Sequence, residues 1–514
     1  MCKYPLRTVK AYARHNFLTW NVAMAVLRFF WRVITSLIIT LLTLTVVVAI
    51  IIALRISGAE QADDETHLDK KRDYLSYLQE NASLPPDAPN IVFILYDDLG
   101  YGDIGFGAGT SNAIHTPNIN ALAANGLMLS DFHSPAPVCT PSRAGYLTGR
   151  LAARAGLPNV VFPSGGTKEL LFSTVLGSGE NKRLPAEEIT LAEVLQAAGY
   201  ATGMVGKWHL GDHSPSLPND LGFDSYFGAL YSNDMEPFAF YRDREIEVEA
   251  PADQNYMTER YDAAAIEFIE QHAGTPFFLY YAHNFPHLPL HVREERSGRS
   301  AAGLYGDVME EIDEGIGELI AALKRAGQWQ NTLLIITSDN GPWFLGDPGN
   351  LRGRKGNTFE GGMRVPFIAH WPAAIPAGEV SHAMAMGTDL LPTVLDILNL
   401  APPEDRLLDG RSILGLLTRG EQSPHDYLYY YDGDTLFAVR DQRFKYRGAA
   451  GVFYSTDQMA VGGAVPQKEW LFDLSRDNRE AYDTSDTHPR HLERLRAVFA
   501  AKNSEMAENP RGWR

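Results

Sequence analysis

Five stretches of this chain carry the residue types from which a hydrolytic centre is assembled. They are Asp97-Asp98, Pro137-Val-Cys-Thr-Pro-Ser-Arg143, Gly206-Lys-Trp-His-Leu-Gly211, His283 with His287, and Asp339-Asn340-Gly341. Cys139 is the only cysteine beyond position 2, which leaves it without an evident disulfide partner and raises the prospect of a reactive role. Thr140 before Pro141 predicts a helix start, with Thr140 as N-cap and Pro141 at the first helical position. The sulfur then stands at the positive end of a helix dipole with Arg143 one turn in, where developing negative charge is stabilised. A buried structural cysteine is the competing local reading. Asp97, Asp98, Asp339 and Asn340 offer four hard oxygen donors, three of them anionic. That set suits Ca²⁺ better than zinc, with open positions for oxygens from a substrate and from residue 139. Arg143, Lys207 and Lys355 (in Gly353-Arg-Lys-Gly356) add positive charge, and His209 and His287 can move protons. A cation, basic side chains and two imidazoles at a helix N-terminus describe a site for a tetrahedral oxyanion ester. Taken singly, Asp-Asp and Asp-Asn-Gly are good turn formers and Lys355 reads equally as a solvated loop lysine.

What separates the joint reading from those single ones is where the stretches fall. Ile91–Leu95, Thr202–Val205, Phe277–Ala282 and Thr332–Thr337 are short apolar runs of the kind that form strands buried on both faces. Each is followed directly by one of the polar stretches. In open α/β sheets, ligands bind outside the carboxyl ends of the strands, so four such groups can converge on one place. Between the strands, Thr116-Pro117 opens a helix running to Asn125-Gly126, and Leu127–Phe132 reads as extended. Thr190-Leu-Ala-Glu193 is a capping box whose helix stops at Gly199. Val308, Ile312, Ile316, Leu319 and Leu323 line one face of a helix ending at Gly327. This βα alternation predicts an α/β fold with a large, mostly parallel sheet sandwiched by helices. Beyond about residue 422, Tyr427–Tyr431, Leu436–Arg440, Arg443–Arg447 and Trp470–Leu474 are short aromatic strands, which predict a small antiparallel C-terminal subdomain.

The N-terminus has a different character. Val33–Leu54 is 22 residues without a charge, about 33 Å as a helix against about 30 Å of hydrocarbon. Lys3, Arg7, Lys10, Arg14, Arg28 and Arg32 precede it with no acid among them, while Glu60, Asp63, Asp64 and Glu65 follow. The positive-inside rule then predicts a basic cytoplasmic segment at 1–32, which would keep Cys2 inside, and a signal-anchor helix at 33–54. A polar stalk at 55–89 follows, and then a catalytic domain at 90–421 and the C-terminal subdomain at 422–514, both periplasmic or extracellular. A signal peptide cut near Ser57-Gly58-Ala59, giving a secreted protein, is the alternative. Asn81-Ala-Ser83 is a glycosylation sequon that matters only in a eukaryotic host. The net charge of −18 argues against a nucleic-acid partner but leaves room for a small anionic one. Two cysteines exclude a disulfide framework.

Cys139-Thr-Pro-Ser-Arg143 with Ala-Gly-Tyr-Leu-Thr-Gly-Arg150 resembles the Cys-x-Pro-x-Arg signature of type I sulfatases. Gly206-Lys-Trp-His209, Phe285-Pro-His287-Leu-Pro and Gly353-Arg-Lys-Gly-Asn-Thr-Phe-Glu-Gly-Gly362 are similar to that family's other motifs. The resemblance runs from about Asn90 to about Tyr482 and is strongest to the arylsulfatase A and steryl sulfatase branch, including Phe437-Ala-Val-Arg and Leu471-Phe-Asp-Leu. The membrane anchor and the lack of disulfides suit a bacterial member. The resemblance implies an alkaline-phosphatase-like fold and conversion of Cys139 to formylglycine by a formylglycine-generating enzyme. By position it assigns Ca²⁺ to Asp97, Asp98, Asp339 and Asn340, with the residue at 139 completing the set. Arg143 and Lys207 would hold the hydrated aldehyde, Lys207 and Lys355 would neutralise sulfate, and His287, assisted by Lys355, would protonate the leaving alcohol. The resemblance further implies that one hydroxyl would attack sulfur and that His209 would take the proton from the second as sulfate is expelled. The residues alone go only as far as a cysteine nucleophile, and His283 is a weaker candidate than His287. The expected function is hydrolysis of a small-molecule, glycan or lipid sulfate monoester. A phosphonate monoester or phosphodiester hydrolase, or a non-catalytic membrane-anchored receptor for sulfated polymers, are the alternatives.

Overall fold

The computed structural model describes residues 7–57, 63–104, 113–165, 182–448 and 469–514. It falls into two compact units, one containing 1–60 and the other containing 61–169 and 181–514. The described part of the first is helix α1 (Arg7–Ser57), whose stretch Trp20–Ile50 is long and apolar enough to cross a membrane. Most of the described side chains on that stretch are exposed. Cys2, Lys3 and the Gly58-Ala59 cleavage candidate lie outside the described residues.

The second unit opens with helix α2 (Glu65–Asn81), inside the segment expected as a stalk. Its side chains are mostly polar, yet it docks on the body of the domain. Buried Lys71 pairs with Glu193 at 2.6 Å and donates to the carbonyls of Ala186 and Glu188, both at 2.7 Å. Polar composition here reflects one charged anchor and a wet outer face, rather than a free linker.

Ten strands form the main sheet. In chain order they are β1 (Asn90–Tyr96), β2 (Leu127–Leu129), β4 (Ala201–Lys207), β5 (Ser225–Ala229), β6 (Phe240–Arg242), β7 (Glu245–Val248), β8 (Phe277–Ala282), β9 (Thr332–Ser338), β10 (Phe367–His370) and β11 (Glu379–Ser381). The spatial order is β11-β2-β10-β9-β1-β8-β4-β5-β6-β7. The central five, β9-β1-β8-β4-β5, are parallel to one another. The sheet is mixed because β10 runs antiparallel to β9 and β2 on one side and β6-β7 close the other as a hairpin. The expected strand Leu127–Phe132 is split: β2 joins the main sheet, and β3 (Phe132–His133) pairs in parallel with β12 (Ala385–Met386).

Two-residue periodicity sorts β1 into two apolar layers. Ile91, Phe93 and Leu95 face one core, and Val92, Ile94 and Tyr96 face the other. All seven β1 residues are buried. Burying a Leu or Ile side chain contributes about 1.5–3 kcal/mol, so a strand covered on both faces is a firm base for the loop at its end. Helices α3 (Pro117–Ala124), α4 (Cys139–Thr148), α5 (Leu191–Ala197), α6 (Met257–Gln271) and α7 (Gly303–Arg325) cover the faces. The α5 capping box forms as expected, with Thr190 Oγ accepting from the Glu193 N–H at 3.1 Å. All five expected apolar positions of α7 are buried. The C-terminal sheet is antiparallel, β13 (Leu428–Asp432), β14 (Thr435–Arg440), β15 (Phe444–Arg447) and β16 (Trp470–Asp473), and packs against the helix Pro489–Glu508.

Candidate active site

The strands β9, β1, β8 and β4 are immediate neighbours, so the loops at their carboxyl ends meet. Asp97 and Asp98 leave β1, His283 and His287 leave β8, Asp339 and Asn340 leave β9, and Lys207 closes β4 with His209 just beyond. Asp98 and His209 hold left-handed backbone at φ 65 and 64. A non-glycine residue pays for that conformation, and surrounding structure must enforce it.

Helix α4 brings in the cysteine. Its N-cap is Val138 and Cys139 is its first residue, so it begins earlier than Thr140-Pro141 implied. Thr140 does not cap. Its hydroxyl donates to the His209 carbonyl at 3.1 Å and accepts the Val161 N–H at 3.3 Å, stitching α4 to the β4 loop. All ten α4 residues are buried, and Cys139 itself is 3% exposed. Its thiol lies 3.3 Å from Asp97 Oδ1 and 3.1 Å from Lys355 Nζ.

One ligand atom each from Asp97, Asp98, Cys139 and Asp339 lies within 4.8 Å of the others, and all four residues are buried. Lys207 pairs with Asp97 Oδ2 in a short ion pair, and Lys355 Nζ sits 2.7 Å from Asp98 Oδ1. Arg143 donates through Nε to Asp339 Oδ2 at 3.0 Å and through Nη1 to the Lys207 carbonyl at 2.7 Å. Asn340 Nδ2 donates to Asp98 Oδ1 at 2.7 Å, while its Oδ1 is buried with no hydrogen-bond partner among the described residues. An orphaned buried carbonyl oxygen beside three carboxylates is acceptor capacity that a hard divalent cation fits.

Electrostatics divide the carboxylates. Burial works against ionisation of Asp97, but Lys207, with His287, Lys355 and Arg143 behind it, holds it well below the usual range. Burial next to Asp97 pushes Asp339 up to about 6 despite Arg143. Burial and the Asp97 charge push the Cys139 thiol up. Lys355 is raised well above its ordinary value, because Asp98 outweighs the burial that opposes its charge.

The two histidines are held differently. His209 Nε2 meets the Val161 carbonyl at 3.0 Å, which fixes the proton there and leaves Nδ1 buried without a partner among the described residues. Burial, then Lys207 and Arg143, keep this ring neutral by driving its pKa well down. His287 Nδ1 lies 2.5 Å from the Leu288 carbonyl, with Asn233 Oδ1 at 3.2 Å and Ser232 Oγ at 3.3 Å. Its Nε2 is 3.9 Å from Asp98 Oδ2. Burial and Lys355 lower its pKa. His283 is packed among the rings of Tyr96, Tyr261, Tyr281 and Phe285, and its Nδ1 accepts the Phe285 N–H at 2.9 Å. Burial drives it to about 3, which marks a neutral core residue.

All the expected site residues therefore converge, with His283 outside the working group. Sequence reasoning missed Ser232 and Asn233, which orient His287, although only Leu230 and Tyr231 separate this polar pair from the end of β5, a weaker form of the same strand-end signal. It also missed a second buried trio, Asp131, His133 and Glu360, whose ligand atoms likewise lie within 4.8 Å of one another. There Arg440 grips Asp131 with bonds of 2.9 and 2.8 Å, Arg364 meets Asp131 at 2.7 Å and Glu360 at 2.8 Å, and Lys445 meets Glu360 at 3.0 Å. Both ring nitrogens of His133 are engaged, with Asp131 at 3.0 Å and the Tyr430 hydroxyl at 3.2 Å.

Comparison with known proteins agrees with this geometry. A sulfatase family model matches residues 89–400, and a model for the C-terminal region of N-sulphoglucosamine sulphohydrolase matches residues 354–488. Mouse N-acetylgalactosamine-6-sulfatase is 37% identical over 72% of this chain and 74% of its own length. Human arylsulfatase A is 36% identical over 77% of this chain and 83% of its own. Among solved structures, the PsFucS1 sulfatase from Pseudoalteromonas sp. superposes with a TM-score of 0.71 at 27% identity, covering 88% of this chain and 97% of that one.

Proposed function

The chain belongs to the sulfatase family and is a sulfuric ester hydrolase, and we propose that it cleaves a sulfate monoester through a formylglycine made from Cys139 with Ca²⁺ alongside. The observation that carries this reading is the place of the Cys139 sulfur, between Asp97 Oδ1 and Lys355 Nζ at the first residue of α4. A thiol whose pKa is pushed up by burial is a poor nucleophile at neutral pH, because the thiolate is the reactive form. Conversion to a hydrated aldehyde removes that handicap.

Asp97, Asp98, Asp339 and Asn340, with the residue at 139, would hold the cation, which when bound supplies positive charge against sulfate oxygens. The chain's own groups divide the remaining work. Lys207 and Lys355 neutralise the transferring group, and Arg143 braces the Asp339 side of the centre. His287 keeps its Nδ1 proton on the Leu288 carbonyl and presents a bare Nε2 toward Asp98, and Lys355, held charged beside Asp98, supplies the proton that passes through Nε2 to the leaving oxygen. His209 keeps its Nε2 proton on Val161 and accepts a proton at Nδ1 from the hydroxyl of the converted residue. The N-terminal helix would tether the catalytic domain (90–421) and the C-terminal subdomain (422–514) outside the cytoplasm, where a formylglycine-generating enzyme would act on the chain. Its relatives are named for a saccharide sulfate and for aryl sulfates, so the class of alcohol is open at this point.

Mass analysis of the peptide spanning residue 139 tests the proposal directly. An aldehyde in place of the thiol is expected, and an unmodified cysteine in active enzyme would refute it. Paired sulfate and phosphate esters of one alcohol should then show preference for the sulfate.

A further inference from the structure

Resting on that reading, we propose that the alcohol released is apolar, an aryl or polycyclic skeleton seated in the cleft that opens at His287 and Lys355. The cleft holds about 890 Å³ and contains Asp98, His287 and Lys355 in its wall. That volume falls within the roughly 300–1,000 Å³ of small-ligand pockets. The rest of its surface is dominated by Leu288, Pro289, Leu290, Leu304, Trp343 and Leu345. These residues come from the same strand-end loops as the site, after β8 and β9, and from the first turn of α7. Leu304 is 44% exposed and Leu345 56%, with Phe344 beside it at 54%. Large apolar side chains left in water together, at the edge of a reactive centre, mark a surface that another apolar body covers.

Charge points the same way. Among the described residues lining this cleft, the charged ones are Asp98 and Lys355, which pair with each other, and Asp234, an acid at the exposed rim. The nearby Arg354 is turned to structure: its Nη1 donates to the Trp343 carbonyl at 2.6 Å and the Gly346 carbonyl at 2.8 Å, and its guanidinium lies 5.8 Å from the Phe344 ring. It holds the apolar lip in place. The floor is fixed by the Tyr305 hydroxyl, which donates to Asp103 Oδ2 at 2.5 Å. A glycan with a second sulfate would set that charge against leucines or the acid Asp234, at a desolvation cost that the described residues of this wall do not offset. A flat apolar ring system meets Leu, Pro and Trp surfaces instead.

The test compares kcat/KM of the full-length enzyme for 4-methylumbelliferyl sulfate and estrone sulfate with that for N-acetylgalactosamine 6-sulfate and a disulfated chondroitin disaccharide. At least about tenfold preference for one or both apolar esters is expected, and the two probes separate a bicyclic from a polycyclic occupant. Leu304→Ser with Leu345→Ser should raise KM for the preferred apolar ester about tenfold, leave kcat within about twofold, and leave the saccharide KM unchanged. Higher kcat/KM for either saccharide, or a KM that ignores the lip, overturns the proposal. Failure of the sulfatase reading is seen separately, as an unconverted Cys139 with no turnover of any ester. In that case calorimetry on Cys139→Ala protein still decides the cleft: estrone sulfate should bind more tightly than N-acetylgalactosamine 6-sulfate, and equal or reversed affinities overturn it.

Discussion

Two buried charge clusters in this domain are built from nearly the same parts, and only one has the makings of an active centre. Around Cys139 stand three carboxylates (Asp97, Asp98, Asp339) and three cations (Arg143, Lys207, Lys355). Around His133 stand three carboxylates (Asp131, Glu360, Glu480) and three cations (Arg364, Arg440, Lys445). Equal numbers of each charge therefore say nothing about function. The difference lies in access and in which groups stay open, for the second cluster also leaves Arg364 Nε and Glu480 Oε1 without a hydrogen bond among the described residues. At the second cluster both histidine nitrogens are taken and Arg440 holds Asp131 with two bonds. There burial opposes ionisation, yet Arg364 and Arg440 hold Asp131, and Lys445 and Arg364 hold Glu360, below the usual range. At the first, Asn340 Oδ1 and His209 Nδ1 lack partners among the described residues, Asp339 is pushed up to about 6, and a cleft reaches the charges. The second cluster is a strut tying β14 and β15 to the helix Glu360–Met363, and the first is a socket.

Breaking the socket should cost chemistry. Cys139→Ala is expected to lower kcat by about 10⁴-fold or more, with the fold intact by circular dichroism. His287→Ala should lose about 10²–10⁴-fold, and excess chelator should remove activity that added Ca²⁺ restores. Full activity in chelator would erase the distinction drawn from Asn340. Breaking the strut should cost stability instead. Arg440→Met leaves buried carboxylates uncompensated and should destabilise by about 3–5 kcal/mol. Protein that remains folded should keep kcat within about twofold. Loss of kcat without a drop in melting temperature would show that the second cluster belongs to the chemistry.

Acid sharpens the contrast. Asp131 and Glu360 titrate below their ordinary values of 3.8 and 4.5 in the folded chain. Their stabilisation is complete above those ordinary values and drains away as pH falls through the depressed folded ones. The wild-type melting temperature should fall as pH drops below about 4, more steeply than that of Arg440→Met. Smallest of all, Arg325→Ala at the exposed Arg325–Glu270 pair should change stability by less than about 1 kcal/mol, which thermal melts would check.

The central strands were legible in the sequence because burial on both faces leaves continuous apolar runs, and strand-end placement turned four polar stretches into one predicted site. What escaped was non-local. Nothing near Phe367–His370 announces that it runs antiparallel to β9, since only its neighbours fix its direction. Ser130-Asp131 splits Leu127–Phe132 because those flanks pair with different partners, β11 and β12. Arg440 and Glu360 each lay inside a recognised motif, yet they are 80 positions apart, and only the fold reveals that they meet. The apolar lip had a local trace, in that Pro342-Trp-Phe-Leu345 is too greasy for an ordinary loop beside Asp339.

The burial of helix α4 bears on the timetable of the proposed maturation. Cys139 is 3% exposed, with its sulfur beside Asp97 and Lys355. Conversion as proposed would therefore require a tailoring catalyst to reach residue 139 before the domain closes. A molecule that folded first would stay silent, identical in shape to its working siblings.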